Sequence, residues 1–441
     1  MKKKLAVSLV TGIALASALG ASPAVAVTMC MPTGFIRDGM NLTAAVIADG
    51  DISGQIDATG CNIGIYYGPG TSGTVEGSNV YGANYFGIVA TGEDGDVDQC
   101  LGNVGATSVD VTNSNVHNIG DKPSFTGAQH GIGVYYRPSC DGASATGAIS
   151  GNAVSVYQKG GIVANGPNAA VSISGNTVTG SGPVIYIAQN GIQIGFGGDG
   201  MIMRNQVTGH SYTGPNGASS AGILIFGGCG NELTTGVRIV KNVVGSTTLA
   251  DGNDMGVALA NYDPTCTMAP TTATNNKAIN NTITNTELTN NSGNGATGYQ
   301  AGVYDSGNND KVINNDISGV GYDPSKCNAL AVPRETCAVD SSSGLLIKNH
   351  ANSSGPRNIR GLGKQGGEDR VAALAAGSCR RQTRLVEKEP PSISAAAGWR
   401  GTPRCAVSHP SGSCRRTPRP GDMRQPHRRH SSSARRGLVS P

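Results

Sequence analysis

One pattern constrains this chain more than any other: an apolar residue, Asn three places on, and a second apolar residue at five. It reads Ile149/Asn152/Val154, Ile173/Asn176/Val178, Ile202/Asn205/Val207 and Ile239/Asn242/Val244, with weaker copies at Ala278/Asn281/Ile283 and Val312/Asn315/Ile317. Two earlier copies place Asn one residue later, at Val75/Asn79/Val80 and Val111/Asn115/Val116. Residues on one face of a strand lie an even number apart. A spacing of five with both ends inward therefore requires a bend between two strands. Asn tolerates the left-handed backbone that such a bend needs, so each copy predicts strand, one-residue corner, strand.

A second signature follows, Gly then Ile, Val or Leu: Gly87-Ile88, Gly131-Ile132, Gly161-Ile162, Gly191-Ile192, Gly222-Ile223, Gly256-Val257, Gly302-Val303 and Gly344-Leu345. The residue three after Gly is mostly apolar again, the alternation of a half-buried strand. The residue two before it is polar or aromatic (Tyr85, Gln129, Lys159, Gln189, Ser220, Asp254, Gln300, Ser342), which predicts an outward ladder. Eight units of about 24–46 residues, with no helix-length pattern, predict a parallel β-helix whose core forms only by stacking of coils. Asp51–Gly70 reads as an irregular first coil. An antiparallel sandwich would instead require hairpin turns and no repeated register.

Composition agrees: aromatics are only 4%, and 66 residues are Gly. Residues 1–26, with Lys2–Lys4, the apolar Leu5–Leu19 and the small-residue Ala24-Val25-Ala26, predict a cleaved export signal and a secreted, extracellular protein. After it, no apolar run is long enough to span a membrane. Export implies an oxidising compartment. The segment 27–350 carries eight cysteines. Coils stack about 4.8 Å apart, within reach of a disulfide. Cys100 and Cys140 fall in the same loop of successive coils, as do Cys229 and Cys266, so both pairs are expected to join. Cys30–Cys61 would staple the N-terminal end and Cys327–Cys337 would close one loop. Zinc is disfavoured: this segment has no CxxC and only four His.

Repeats such as Ile173-Ser-Gly-Asn-Thr-Val-Thr-Gly180 and Gln189-Asn-Gly-Ile-Gln-Ile194 resemble those of the pectin-lyase-like superfamily over roughly Asp51–Asn349. The resemblance implies an all-β, right-handed parallel β-helix. It leaves activity open, because that superfamily includes lyases, hydrolases, epimerases and non-catalytic adhesins. Its sharper motifs are missing. The segment 27–350 has no Asp-Asp pair, Gln129-His130-Gly131 lacks the first Gly of a Gly-His-Gly, and Arg238-Ile-Val-Lys241 has one residue too many for an Arg-Ile-Lys.

Candidate chemistry lies on the loops after the Gly-Ile strands. Acids recur there (Asp94, Asp96, Asp98, Asp141, Asp199, Glu232, Asp263, Asp310), with Tyr135, Tyr136, Phe196, Phe226, Tyr262 and Tyr304 beside them. Paired carboxylates with aromatic platforms suit glycoside hydrolysis. Asp141, Asp199, Asp263 and His130 are therefore the expected catalytic groups, and Tyr136, Tyr262, Gln189 and Lys159 the expected substrate contacts. Asp94-x-Asp96-x-Asp98 is a calcium candidate, although Gly105 stands where an EF-hand loop requires Glu. The expected activity is hydrolysis of an extracellular polysaccharide by a monomer. The alternative is a non-catalytic adhesion module that binds glycans.

The net charge of +4 is a cancellation. Residues 27–350 hold 12 Lys+Arg against 24 Asp+Glu, or −12, and residues 351–441 hold 18 against 5, or +13. The acidic segment disfavours a polyanionic substrate and gives no reason to expect nucleic acid. The Arg/Pro/Ser-rich stretch 351–441 has lost the repeat and is expected to be disordered. Its alternatives are a polybasic arm and a frame-shifted stretch of GC-rich DNA.

Overall fold

The computed structural model describes residues 29–96, 100–214, 218–246, 252–285 and 301–318, and the backbone of 336–340 and 345–349. The export segment, most of 319–350 and all of 351–441 lie outside the described residues. Within them the protein is all-β, and no helix occurs.

The chain runs through three sheets in fixed order. Sheet A takes the Gly-Ile strands (Ile63–Tyr67, Phe86–Ala90, Ile132–Tyr136, Gly160–Asn165, Asn190–Gly195, Ala221–Gly227, Met255–Asn261, Ala301–Asp305). Sheet B takes the strand before each Asn, from Ser72–Glu76 to Lys311–Ile313, and sheet C the strand after it, from Gln55–Asp57 to Asp316–Ser318. Every strand of B and C pairs in parallel with its counterpart one circuit on. The result is a set of stacked parallel sheets compatible with a β-solenoid. The inward residues of all three sheets merge into one core, including Ile149, Val154, Ile162, Ile173, Val178 and Ile192.

The Asn signature builds the corner between sheets B and C, but differently from expectation. The left-handed residue is the one before the Asn: Gly151, Gly175, Arg204, Lys241, Asn280 and Asn314, with φ between 49° and 67° in the series that begins at Gly77 and Asn113. The Asn itself turns inward and is buried. Its Oδ1 accepts from the backbone N and the Nδ2 of the Asn one coil back: Asn176 Oδ1 lies 3.0 Å from Asn152 N and 2.9 Å from Asn152 Nδ2. Its Nδ2 also donates to the backbone, as from Asn176 to Ile149 O at 2.9 Å. The ladder runs unbroken through Asn152, Asn176, Asn205, Asn242, Asn281 and Asn315. Ser114 and Ser78 continue it toward the N-terminus. Asn79 and Asn115 are therefore not corner residues; they open their sheet C strands.

The Gly signature has a packing cause. A Cβ on Gly161 would lie 2.5 Å from Val178 Cγ1 and 2.6 Å from Gly191 O. Sheets A and C approach too closely there for any side chain. The register also corrects one assignment. Val134 stands beside Ile88 and Ile162, so the coil's glycine is Gly133, not Gly131. Ile65 stands beside Ile88, so the coil expected to be irregular is a regular one. Leu345–Asn349 does not join sheet A as a further coil; it pairs antiparallel with Thr336–Asp340.

Two features have no repeat signature. Met31–Arg37 folds back antiparallel on Met40–Ile47. Its Phe35 packs on Tyr66 and Phe86 in an outward cluster with Leu42, Val89 and Tyr135. Second, Glu93 is buried with Arg137, Oε1 to Nη1 at 2.8 Å, and its Oε2 accepts from the backbone N of Ser139 and Cys140. Three disulfides join the expected partners, Cys30–Cys61, Cys100–Cys140 and Cys229–Cys266, with Cα separations of 5.3, 5.5 and 4.6 Å. They fit an oxidising, extracellular compartment. The Cys327–Cys337 pairing rests on Cys327, outside the described residues.

Candidate functional site

The expected catalytic residues lie on two different sides of the coils. Asp141, Asp199 and Asp263 follow sheet A strands, whereas His130 lies in the connection from sheet C to sheet A. Asp141 is exposed. Asp199 is exposed too, and its Oδ1 accepts from Gly200 N. Asp263 closes the turn that carries Cys266: Oδ1 accepts from Thr267 N and Met268 N, and Oδ2 from Thr265 Oγ1 at 2.6 Å. Burial pushes its carboxyl up, but these hydrogen bonds outweigh it and hold the carboxyl below its ordinary value. No pair of these three acids is brought into contact by a described hydrogen bond.

The expected substrate contacts divide likewise. Tyr136 belongs to the core, with its hydroxyl donating to Val109 O. It is no sugar platform. Lys159 and Gln189 form no outward ladder; both are buried where sheet C turns into sheet A. Lys159 Nζ donates to Ala188 O at 2.8 Å, and burial pushes its ammonium down to about 7. Gln189 Nε2 donates to Tyr157 O at 2.6 Å. Tyr262 is the exception: it stays half-buried on the loop side, its hydroxyl 3.1 Å from that of Tyr304.

Asp94 does not stand open for calcium. Its carboxylate binds Asn103, Oδ1 accepting from the backbone N and Oδ2 from Nδ2 at 2.9 Å. Asp96 lies in a short strand beside Ile36, and Asp98 lies outside the described residues. Among the described residues, no group of three or more His, Cys, Asp or Glu could hold a metal ion.

Three polar constellations do form. His130 Nε2 lies 2.6 Å from Asp121 Oδ1, with its ring stacked on Tyr85 at 3.9 Å. Burial raises the Asp121 carboxyl, and hydrogen bonds from Thr126 and His130 lower it further than that. Gln158 ties the same loop together through Asp121 N, Thr126 N and Ala128 O. His130 is thus held as part of a folded loop.

Deeper in the stack, Tyr157, His210 and Asn253 form a chain. Burial pushes the His210 imidazole down to about 4, so it is neutral. Nδ1 then donates to Asn253 Oδ1 at 2.9 Å, and Nε2 accepts from the Tyr157 hydroxyl.

The third constellation is Asp305 with Asp310, both nearly fully buried at the start of the last described loop. Asp310 Oδ1 accepts from Asn276 N at 2.7 Å and from Thr274 Oγ1, and Asp305 Oδ1 from Gly307 N at 2.9 Å. Burial, and then the neighbouring Asp310, raise the Asp305 carboxyl; burial raises Asp310. The pair therefore retains a proton at a pH where ordinary carboxyls have lost theirs. The sequence names Asp310 as a loop acid. Nothing in the spacing announces Asp305 as its partner, because Asp305 occupies an inward strand position beside Leu259.

No protein-family model matches the chain, and neither a curated protein nor a solved structure matches it.

Proposed function

We propose that this protein is exported, forms a right-handed parallel β-helix of the pectin-lyase-like type, and binds an extracellular polysaccharide along its coils. One observation carries the reading. Apart from a shift between Thr179 and Gly182, the strands of successive coils stand in register, so each outward position becomes a row of side chains repeating about every 4.8 Å along the stack. A row of that kind matches a linear, repeating polymer. The segment at 1–26 is read as a cleaved export signal, and 351–441 is a basic segment outside the described residues.

A second reading, a glycoside hydrolase, is favoured by Asp305 and Asp310. Glycoside hydrolysis needs one carboxyl that is still protonated at working pH; burial raises both carboxyls of this pair, and the reading requires the coil to open, because Asp305 lies inward beside Leu259. The test is co-sedimentation of the full chain with neutral and acidic polysaccharides, alongside assays for reducing and unsaturated sugar products. Retention without product is expected. Product formation that disappears in Asp305→Asn and Asp310→Asn establishes the hydrolase instead, and failure to bind any polymer removes both readings.

A further inference from the structure

The outer face of sheet B carries opposite charges at its two ends. Four of the described cations are engaged by the fold: Arg37 over the Phe86 ring, Lys122 on Asn118, Arg137 on Glu93, and Lys159 on Ala188 O. The others, Arg204, Arg238, Lys241, Lys277 and Lys311, gather on sheet B and its corner in the last four coils. All are exposed except Lys277, which is half-buried. The first coils of the same face carry Asp49, Asp51, Glu76 and Asp110, all exposed. Asp51 Oδ1 accepts from Thr74 N at 2.9 Å and Asp110 Oδ1 from Ala148 N at 2.7 Å, which fixes where these carboxylates sit. Neither set forms an ion pair with a described residue.

Register orders the charges along one line. Asp51 stands beside Thr74 and Thr74 beside Asp110. At the far end Arg238, Lys277 and Lys311 follow one another on successive strands. Like charges so placed repel each other. Ala148, Ser172 and Met201 occupy the same row between the two ends and carry no charge. Ser172 is the midpoint. Asp110 precedes it by two coils and Arg238 follows it by two; Asp51 precedes it by four and Lys311 follows it by four.

A second copy, turned end for end about an axis along the Ser172 strand, places Arg238 opposite Asp110 and Lys311 opposite Asp51. Each contact then occurs twice, because the same patch serves both partners. Glu76, one outward position along from Thr74, falls beside Lys277. Coils running the same way would instead set like ends against like. Facing sheets stand about 10 Å apart, a gap that an Arg or Lys and an Asp span together. Nine circuits at about 4.8 Å make the face about 38 Å long, and five residues of roughly 3.3 Å make it about 16 Å wide. Each partner therefore covers about 600 Å², the low end for a specific pair. The charge of −12 on residues 27–350 opposes association at long range, but salt at about 0.15 M screens exposed charges beyond about 8 Å.

We propose that this protein forms an antiparallel dimer through the outer faces of sheet B, rather than the monomer expected from the sequence. The dimer does not depend on the polysaccharide reading, because sheet C keeps its outer rows.

The test is sedimentation equilibrium of the full chain. A dimer is expected at about 0.15 M salt, with association about tenfold or more weaker by about 1 M. Arg238→Glu alone and Asp110→Lys alone should each weaken the dimer about tenfold or more, because each sets a like charge opposite at two places. An equimolar mixture of the two variants should associate as the parent does, since every facing pair is again opposite in sign. A variant that had merely lost its fold is not rescued in this way. A chain monomeric at every concentration, including one whose acidic end is covered by its own basic segment 351–441, overturns the proposal. So does a dimer indifferent to salt and to both substitutions, or a mixture of the two variants that stays monomeric.

Discussion

Replacing Asn176 with Ala tests what holds the coils together. The Asn176 side chain makes four hydrogen bonds. It accepts from Asn152 N at 3.0 Å and Asn152 Nδ2 at 2.9 Å, and it donates to Ile149 O and Asn205 Oδ1, both at 2.9 Å. The residue is 1% exposed, so water cannot replace these partners. At about 1 kcal/mol net per bond the loss is about 4 kcal/mol, and the stranded Asn152 N–H makes a smaller figure harder to reach. Asn115→Ala is the control. Asn115 is exposed and gives a single side-chain bond to Asn79, so it should cost less than about 1 kcal/mol. Asn176→Asp keeps the acceptor but removes both donors and buries a charge, so it should be as damaging as Ala at neutral pH and partly relieved in acid. Urea unfolding followed by circular dichroism measures all three. A loss below about 1 kcal/mol for Asn176→Ala would show that the ladder is incidental and that apolar stacking alone sets the stability.

Gly161→Ala should destabilise by about 1–3 kcal/mol in the same assay, and Val178→Ala should relieve it only in part because the clash with Gly191 O remains. Removing the Cys100–Cys140 bridge as a double Ser variant should cost about 2–5 kcal/mol, read as a lower urea midpoint. Burial raises Asp305 and Asp310 above their unfolded values, so the folded coil binds more protons than the unfolded chain. Their contribution is complete below about pH 4 and fades as pH rises toward neutrality; amide exchange around Ala301–Asp305 should accelerate over that range, and Asp305→Asn should flatten the dependence. His210 acts in the opposite sense. Its pKa falls from 6.5 to about 4 on folding, so stability present above pH 6.5 should drain away as pH falls toward 4, and a His210→Gln variant should show no such loss.

The sequence carries the coil far better than it carries the site. An inward Asn and its flanking apolar pair repeat because every coil meets the same corner, and that periodicity is visible without coordinates. Ser78 and Ser114 fill the same place with a shorter hydroxyl, so the eye slides to Asn79 and Asn115 one residue on. Gly131 and Gly133 compete for one signature, and only strand register separates them. The hairpin of Met31–Arg37 has no repeat to announce it; it exists because Tyr66, Phe86 and Tyr135 leave an apolar outer face to cover. Site residues are less legible because composition does not say which way a loop acid points or what it already binds. Asp263 and Asp94 are consumed by their own turns, and Lys159 and Gln189 by the interior. The cationic row on sheet B is hidden for a different reason. Arg238, Lys277 and Lys311 are neighbours only across strands, and loops of unequal length scatter them along the chain.

A crystal structure of the full chain soaked with neutral and acidic oligosaccharides tests the central claim most directly, since it reports the stacking and the ligand together. An oligosaccharide lying along the coils, over outward rows that repeat about every 4.8 Å, is the expected result. Stacked coils with every outward row bare, or an oligosaccharide held only across the loop side, would contradict it.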